Sequence, residues 1–93
     1  MGDRKMINKE YKYSYNINPD TNEKLFVDTC MAIEKGLQGI DKEGLLMDVD
    51  GSLIQIYYYK GKKIAVYNDY YVGALYIDSN VKLDDILGKK SIY

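Results

Sequence analysis

Histidine and tryptophan are absent from this chain, and cysteine, proline and phenylalanine occur once each. Without histidine there is no imidazole to act as a base near neutral pH, or to complete a zinc site around the single thiol of Cys30. One cysteine also excludes an internal disulfide. No stretch approaches the roughly 18 consecutive apolar residues of a membrane-crossing helix, and the first residues show no charged-then-apolar leader pattern. Charge of one sign is not in excess either: 13 Lys and Arg nearly balance 14 Asp and Glu, for a formal net charge of −1. That balance argues against a surface-wide phosphate-binding field and against an acidic imitation of nucleic acid. These absences predict a cytoplasmic protein with no metal, no cofactor and no membrane partner.

What the chain holds in excess is tyrosine, eleven of 93 residues. A core that needed only aromatic bulk would use Phe and Trp freely, whereas Tyr couples an apolar ring to a hydroxyl that must meet water or a hydrogen-bond partner. The excess therefore predicts a sheet or helix face that is aromatic and solvent-facing, as on a recognition surface. The length allows one domain, burying roughly 60–65% of its unfolded surface. Its richness in Lys, Ile, Asn and Tyr is what an AT-rich bacterial or phage genome encodes.

Residues 1–9 are polar and without periodicity and read as a flexible N-terminal tail, leaving 10–93 as the single domain. Tyr11, Tyr13, Tyr15 and Ile17 alternate along a strand that ends at the Asn18-Pro19 turn. From Asp20 to Gln38 the period becomes helical, with Asp20 placed to cap, Glu23 to complete a capping box and Gly39 to end the helix. Leu25, Phe26, Thr29, Cys30, Ala32, Ile33 and Leu37 fill one arc, which makes Cys30 a buried small hydrophobe rather than a nucleophile. Val27 and Met31 sit one turn apart on the polar side and mark a secondary contact patch, with a homodimer as one use of it.

Beyond Gly44 the period is two. A two-residue Asp50-Gly51 turn pairs 49 with 52, 47 with 54 and 45 with 56, placing Leu45, Met47, Val49, Ser52, Ile54 and Ile56 on the core side with Tyr58. A three-residue turn at Lys60-Gly61-Lys62 then sets Ile64 and Val66 opposite Ile56 and Ile54. A tight turn at Asn68-Asp69 brings Tyr71, Leu75 and Ile77 inward. Val81 to Leu87 reads as a short helix ended by Gly88, with Asp84-Asp85 at its dipole-favoured start. The predicted class is α+β: one main helix on an antiparallel meander of three strands, a further N-terminal edge strand and a short C-terminal helix.

In this register the far face carries Tyr57, Tyr59, Lys63, Tyr67, Tyr70 and Tyr76, the predicted partner-binding surface. The leading functional expectation is a non-enzymatic binding protein that docks on an intracellular protein to modulate or inhibit it, in the manner of phage antagonists or immunity proteins. A nucleotide or single-stranded nucleic acid stacked on the same rings stands second.

The run Leu45-Leu46-Met47-Asp48-Val49-Asp50-Gly51-Ser52-Leu53 resembles the first motif of haloacid-dehalogenase-type phosphatases, an apolar strand leading into Asp-x-Asp-Gly. The resemblance implies Asp48 as nucleophile and Asp50 as general acid/base around Mg²⁺. That family builds its motif on a parallel sheet with crossover helices, whereas here Ile54–Tyr59 follows at once as another strand. A phosphatase-like enzyme is accordingly the remote alternative.

Overall fold

The computed structural model describes residues 10–92, so the expected tail at 1–9 lies outside the described residues. The main helix, α1, spans Glu23–Gly36. It starts later than the Asp20 cap predicted. Asn22 caps it instead: its side-chain oxygen accepts from Leu25 N–H at 2.9 Å, while its own N–H donates to Asn68 Oδ1 on the sheet at 2.9 Å. Asn and Asp cap about equally well, so the bond to Asn68 decides the position. The helix also ends early, with Leu37 at the C-cap donating its N–H to Ile33 O, two residues before Gly39. Phe26, Thr29, Cys30 and Ile33 face inward, as the periodicity predicts.

The sheet has six strands and is antiparallel at every pairing, more strands than the meander predicted. They are β1 (Tyr13–Asn18), β2 (Asp41–Lys42), β3 (Leu46–Met47), β4 (Leu53–Tyr59), β5 (Lys62–Asp69) and β6 (Ala74–Ser79). Their order is β1-β6-β5-β4-β2, with β3 also against β4, so β1 is an edge strand. β2 and β3 form one edge strand interrupted by a bulge: Lys42 pairs with Tyr57 but Leu46 with Ile54, one residue out of step. Gln55, buried on the core side, bridges the break by donating from Nε2 to Glu43 O at 2.6 Å. The helix α2 (Asp84–Leu87) joins α1 over one face, giving a two-layer α+β domain. Among the described residues no helix is long and apolar enough to cross a membrane.

Two turns differ from the expected register, each by one residue. Leu46 pairs with Ile54 and Met47 with Leu53, so the first loop holds three residues, Val49 to Gly51, rather than two. Only Gly51 there has a positive φ, which suits a three-residue loop, whereas either two-residue type needs a positive φ at its first residue, Asp50. The second turn is the two-residue one, Lys60-Gly61, with φ of 52° and 79° and Tyr59 paired with Lys62. The two errors cancel for β5, whose Ile64 and Val66 are buried as predicted, and strand β4 alone is inverted. Leu53, Gln55 and Tyr57 point into the core, while Ile54 and Ile56 lie on the other face. The third turn also moves. β5 runs on through Asp69, whose carboxylate accepts from Tyr71 and Val72 N–H and organises a loop at 70–73.

The β1 side is covered by residues 83–92. Tyr15, fully buried, donates its hydroxyl to Asp84 Oδ1 at 2.6 Å and accepts from Leu83 N–H at 2.7 Å, docking α2 on the core. Ile92 N–H donates to Ser14 O at 2.8 Å, Ser14 N–H donates to Ser91 Oγ at 2.9 Å, and the Lys89 ammonium reaches Asn16 O.

Candidate functional site

The six residues predicted to share the tyrosine face are divided among three places. Tyr57 is 0% exposed beneath α1, where its hydroxyl donates to Glu34 Oε2 at 2.5 Å; the inversion of β4 carries it there. Tyr59 follows it to the core side and packs half-buried against the cluster. Tyr70 lies in the loop after β5, exposed, with its N–H donating to Ser52 Oγ at 2.8 Å. Only Lys63, Tyr67 and Tyr76 occupy the far face. There Tyr67 and Tyr76 stack on each other, centroids 4.8 Å apart, and the Tyr76 hydroxyl donates to Asp69 at 2.9 Å. Tyr76 is 7% exposed, and its far-face neighbours Ala65, Asp78 and Ser14 are also buried. The expected solvent-facing tyrosine platform is therefore not what this face presents. Tyr71, expected inward, is the most exposed tyrosine of the loop.

The exposed apolar surface lies at the opposite edge of the sheet. All ten residues from Asp41 to Asp50 are exposed, among them Leu45, Leu46, Met47 and Val49, with Met47 71% exposed. Apart from Leu46, these were the residues assigned to the core by alternation. Asp48 N–H donates to Ser52 O, and by antiparallel alternation Leu46 and Asp48 turn their backbone groups toward β4. Those of Met47 then turn outward. The 49–51 loop is held against the 70–73 loop through Ser52 and Tyr70, so Tyr70, Tyr71 and Val72 continue the apolar surface around that corner.

The helix adds to the same side. Glu34 accepts from Tyr57 and from the Lys42 ammonium of β2 at 3.0 Å, so its stripe of α1 overlooks this edge. Val27 and Met31, at helical spacing on that stripe, are exposed as predicted, Met31 at 60%. The Tyr57 hydrogen bond, helped by Lys42, holds the Glu34 carboxyl below its ordinary range. Burial first, and the bond to Glu34 second, push the Tyr57 phenol upward. Burial likewise raises the Cys30 thiol.

The Asp-x-Asp-Gly run forms this edge hairpin, not the end of a parallel strand. Asp50 accepts from Ser52 N–H at 2.9 Å, which lowers its carboxyl, and Asp48 accepts from Val49 N–H at 2.7 Å, as turn-shaping carboxylates do. Among the described residues no group of three or more His, Cys, Asp or Glu is placed to hold a metal ion.

Sequence reasoning placed Leu45, Met47, Val49 and Tyr71 in the core and so missed them as surface. A signal was present: Asp41, Glu43, Asp48 and Asp50 crowd the segment, a density of charge expected at an edge rather than in a core strand. The chain matches no family model, no curated protein and no solved structure at a significant level.

Proposed function

We propose that the protein is a docking module that takes an extended segment of a protein partner against its open β2–β3 edge, and modulates or inhibits the partner by occupying that segment. One observation carries the reading: a ten-residue edge, exposed throughout and bearing four large apolar side chains, in a sheet whose other edge is covered by residues 91–92. An edge strand with outward N–H and C=O groups is a template for strand addition, and neighbouring side chains supply specificity. Natural edges are usually blunted by lysine or proline, but this one holds a single lysine, Lys42, already paired with Glu34.

Charge selects the partner. Residues 41–50 hold four carboxylates against one lysine, so the complementary segment is apolar and basic. A second copy of this chain would set those carboxylates against their own kind, which disfavours a homodimer through this edge. The far face gives little support to nucleic acid, since Tyr67 and Tyr76 stack on each other and Asp69 and Asp78 place carboxylates among the rings.

Selection from a random displayed-peptide library tests this. Binders should alternate apolar residues with Lys or Arg, and the double substitution Leu45→Lys, Met47→Lys should cost roughly 2 kcal/mol or more of binding while leaving the fold intact. Peptides that bind the double variant equally well would refute the site.

A further inference from the structure

The end of the sheet away from the 49–51 and 70–73 loops gathers cations. The start of β1, the β4–β5 turn and the segment after β6 meet around a cleft of about 230 Å³, bordered by Lys12, Lys60, Lys62 and Lys82 and by the rings of Tyr13 and Tyr59. The segments are tied together: Lys12 N–H donates to Asn80 Oδ1 at 3.0 Å, and Asn80 N–H donates to Lys63 O at 2.9 Å.

Three features make this more than scattered surface lysine. In a chain of net charge −1, four lysines converge on one cleft whose lining contains no carboxylate. None of the four is in an ion pair among the described residues. The remaining polar lining offers donors: the Asn80 side-chain oxygen, which also borders the cleft, is taken by Lys12, leaving its NH₂, and the two phenols can donate. Lysines that border one cleft add their attractions for an anion entering it. The aromatic rings are half-buried, and the Lys60 ammonium stands 5.3 Å from the centroid of Tyr59, so cationic and planar surfaces adjoin.

We infer that this cleft binds a phosphate monoester carried on a planar ring, the chemistry of a nucleoside monophosphate. The phosphate sits among the lysines and the ring lies against Tyr13 or Tyr59. The volume is below the roughly 300–1,000 Å³ of sites that enclose a drug-sized ligand, which suits a phosphate with one ring better than an extended dinucleotide. The site is separate from the docking edge, and its test is independent of that reading.

Amide chemical shifts of the full chain would be followed during titration with a nucleoside 5′-monophosphate, the parent nucleoside, inorganic phosphate and a short unstructured oligonucleotide. The monophosphate should saturably shift Lys12, Lys60, Lys62 and Asn80, and bind at least about tenfold more tightly than nucleoside or phosphate alone. Lys60→Asn with Lys62→Ala should weaken it by at least about tenfold; Asn is chosen because residue 60 has a positive φ. Lys12→Ala with Lys82→Ala, away from the turn, should do the same with unchanged melting. The inference is overturned by the absence of a saturable shift, by phosphate binding as tightly as the nucleotide, by oligonucleotide binding without monophosphate binding, or by lysine variants that fold and bind normally.

Discussion

Tyr57→Phe removes one hydroxyl and leaves the ring in place, which makes it a direct probe of the inverted strand β4. In the structure that hydroxyl donates to Glu34 at 2.5 Å from a fully buried ring. A hydrogen bond to a charged group contributes roughly 1.5–3 kcal/mol. Glu34 retains its contact to Lys42 and keeps 32% side-chain exposure, so water recovers part of the loss. The expected cost is therefore about 1–2 kcal/mol, a fall in Tm of roughly 4–8 °C per kcal/mol for a domain of this size. Tyr57→Ala adds the cavity of a lost core ring and should cost about 3–5 kcal/mol, whereas Tyr58→Ala on the other face should cost markedly less. Denaturant unfolding of the three variants measures this ranking. Tyr58→Ala costing more than Tyr57→Ala would refute it, since that is the order required by a two-residue Asp50-Gly51 turn.

Glu34→Gln should flatten the acid limb of stability. Because the folded carboxyl is lowered, its contribution is complete above the ordinary carboxylate range near pH 4.3 and is lost as pH falls through the lowered value; urea midpoints between about pH 2 and 6 check this. Tyr15 and Tyr57, both raised chiefly by burial, should ionise only after the exposed tyrosines, so stability should be kept below about pH 10 and decline above it. An ultraviolet titration in which all tyrosines ionise together in the folded protein would contradict their placement. At the cationic cleft, nucleoside monophosphate binding should weaken several-fold as salt rises, because the lysines are exposed; salt-independent binding would point away from them.

Much of the fold was legible because its signals agreed. The inward arc of Phe26, Thr29, Cys30 and Ile33, the buried Ile64, Val66, Leu75 and Ile77, and the Gly88 stop at φ 68° all follow from periodicity and glycine chemistry. Strand β4 was not legible, because Leu53-Ile54-Gln55-Ile56-Tyr57-Tyr58-Tyr59 is apolar in both registers and alternation casts no vote. The turn lengths had to decide, and Asp-Gly and Lys-Gly each fit two-residue and three-residue loops. The open edge was hidden for another reason. A helix about 10 Å wide covers only two or three strands at roughly 4.8 Å spacing, and α2 serves the β1 side, so residues 41–50 lie beyond cover. Alternation in the sequence reports which face a residue takes, not whether a second layer reaches it.

Backbone amide exchange of the 41–50 segment, with and without an edge-selected peptide, tests the docking proposal most directly. The account predicts that the Met47 amide, outward and exchanging in the free protein, becomes protected on binding. A peptide that binds while that amide exchanges unchanged, and instead perturbs Tyr67 and Tyr76 on the far face, would contradict it.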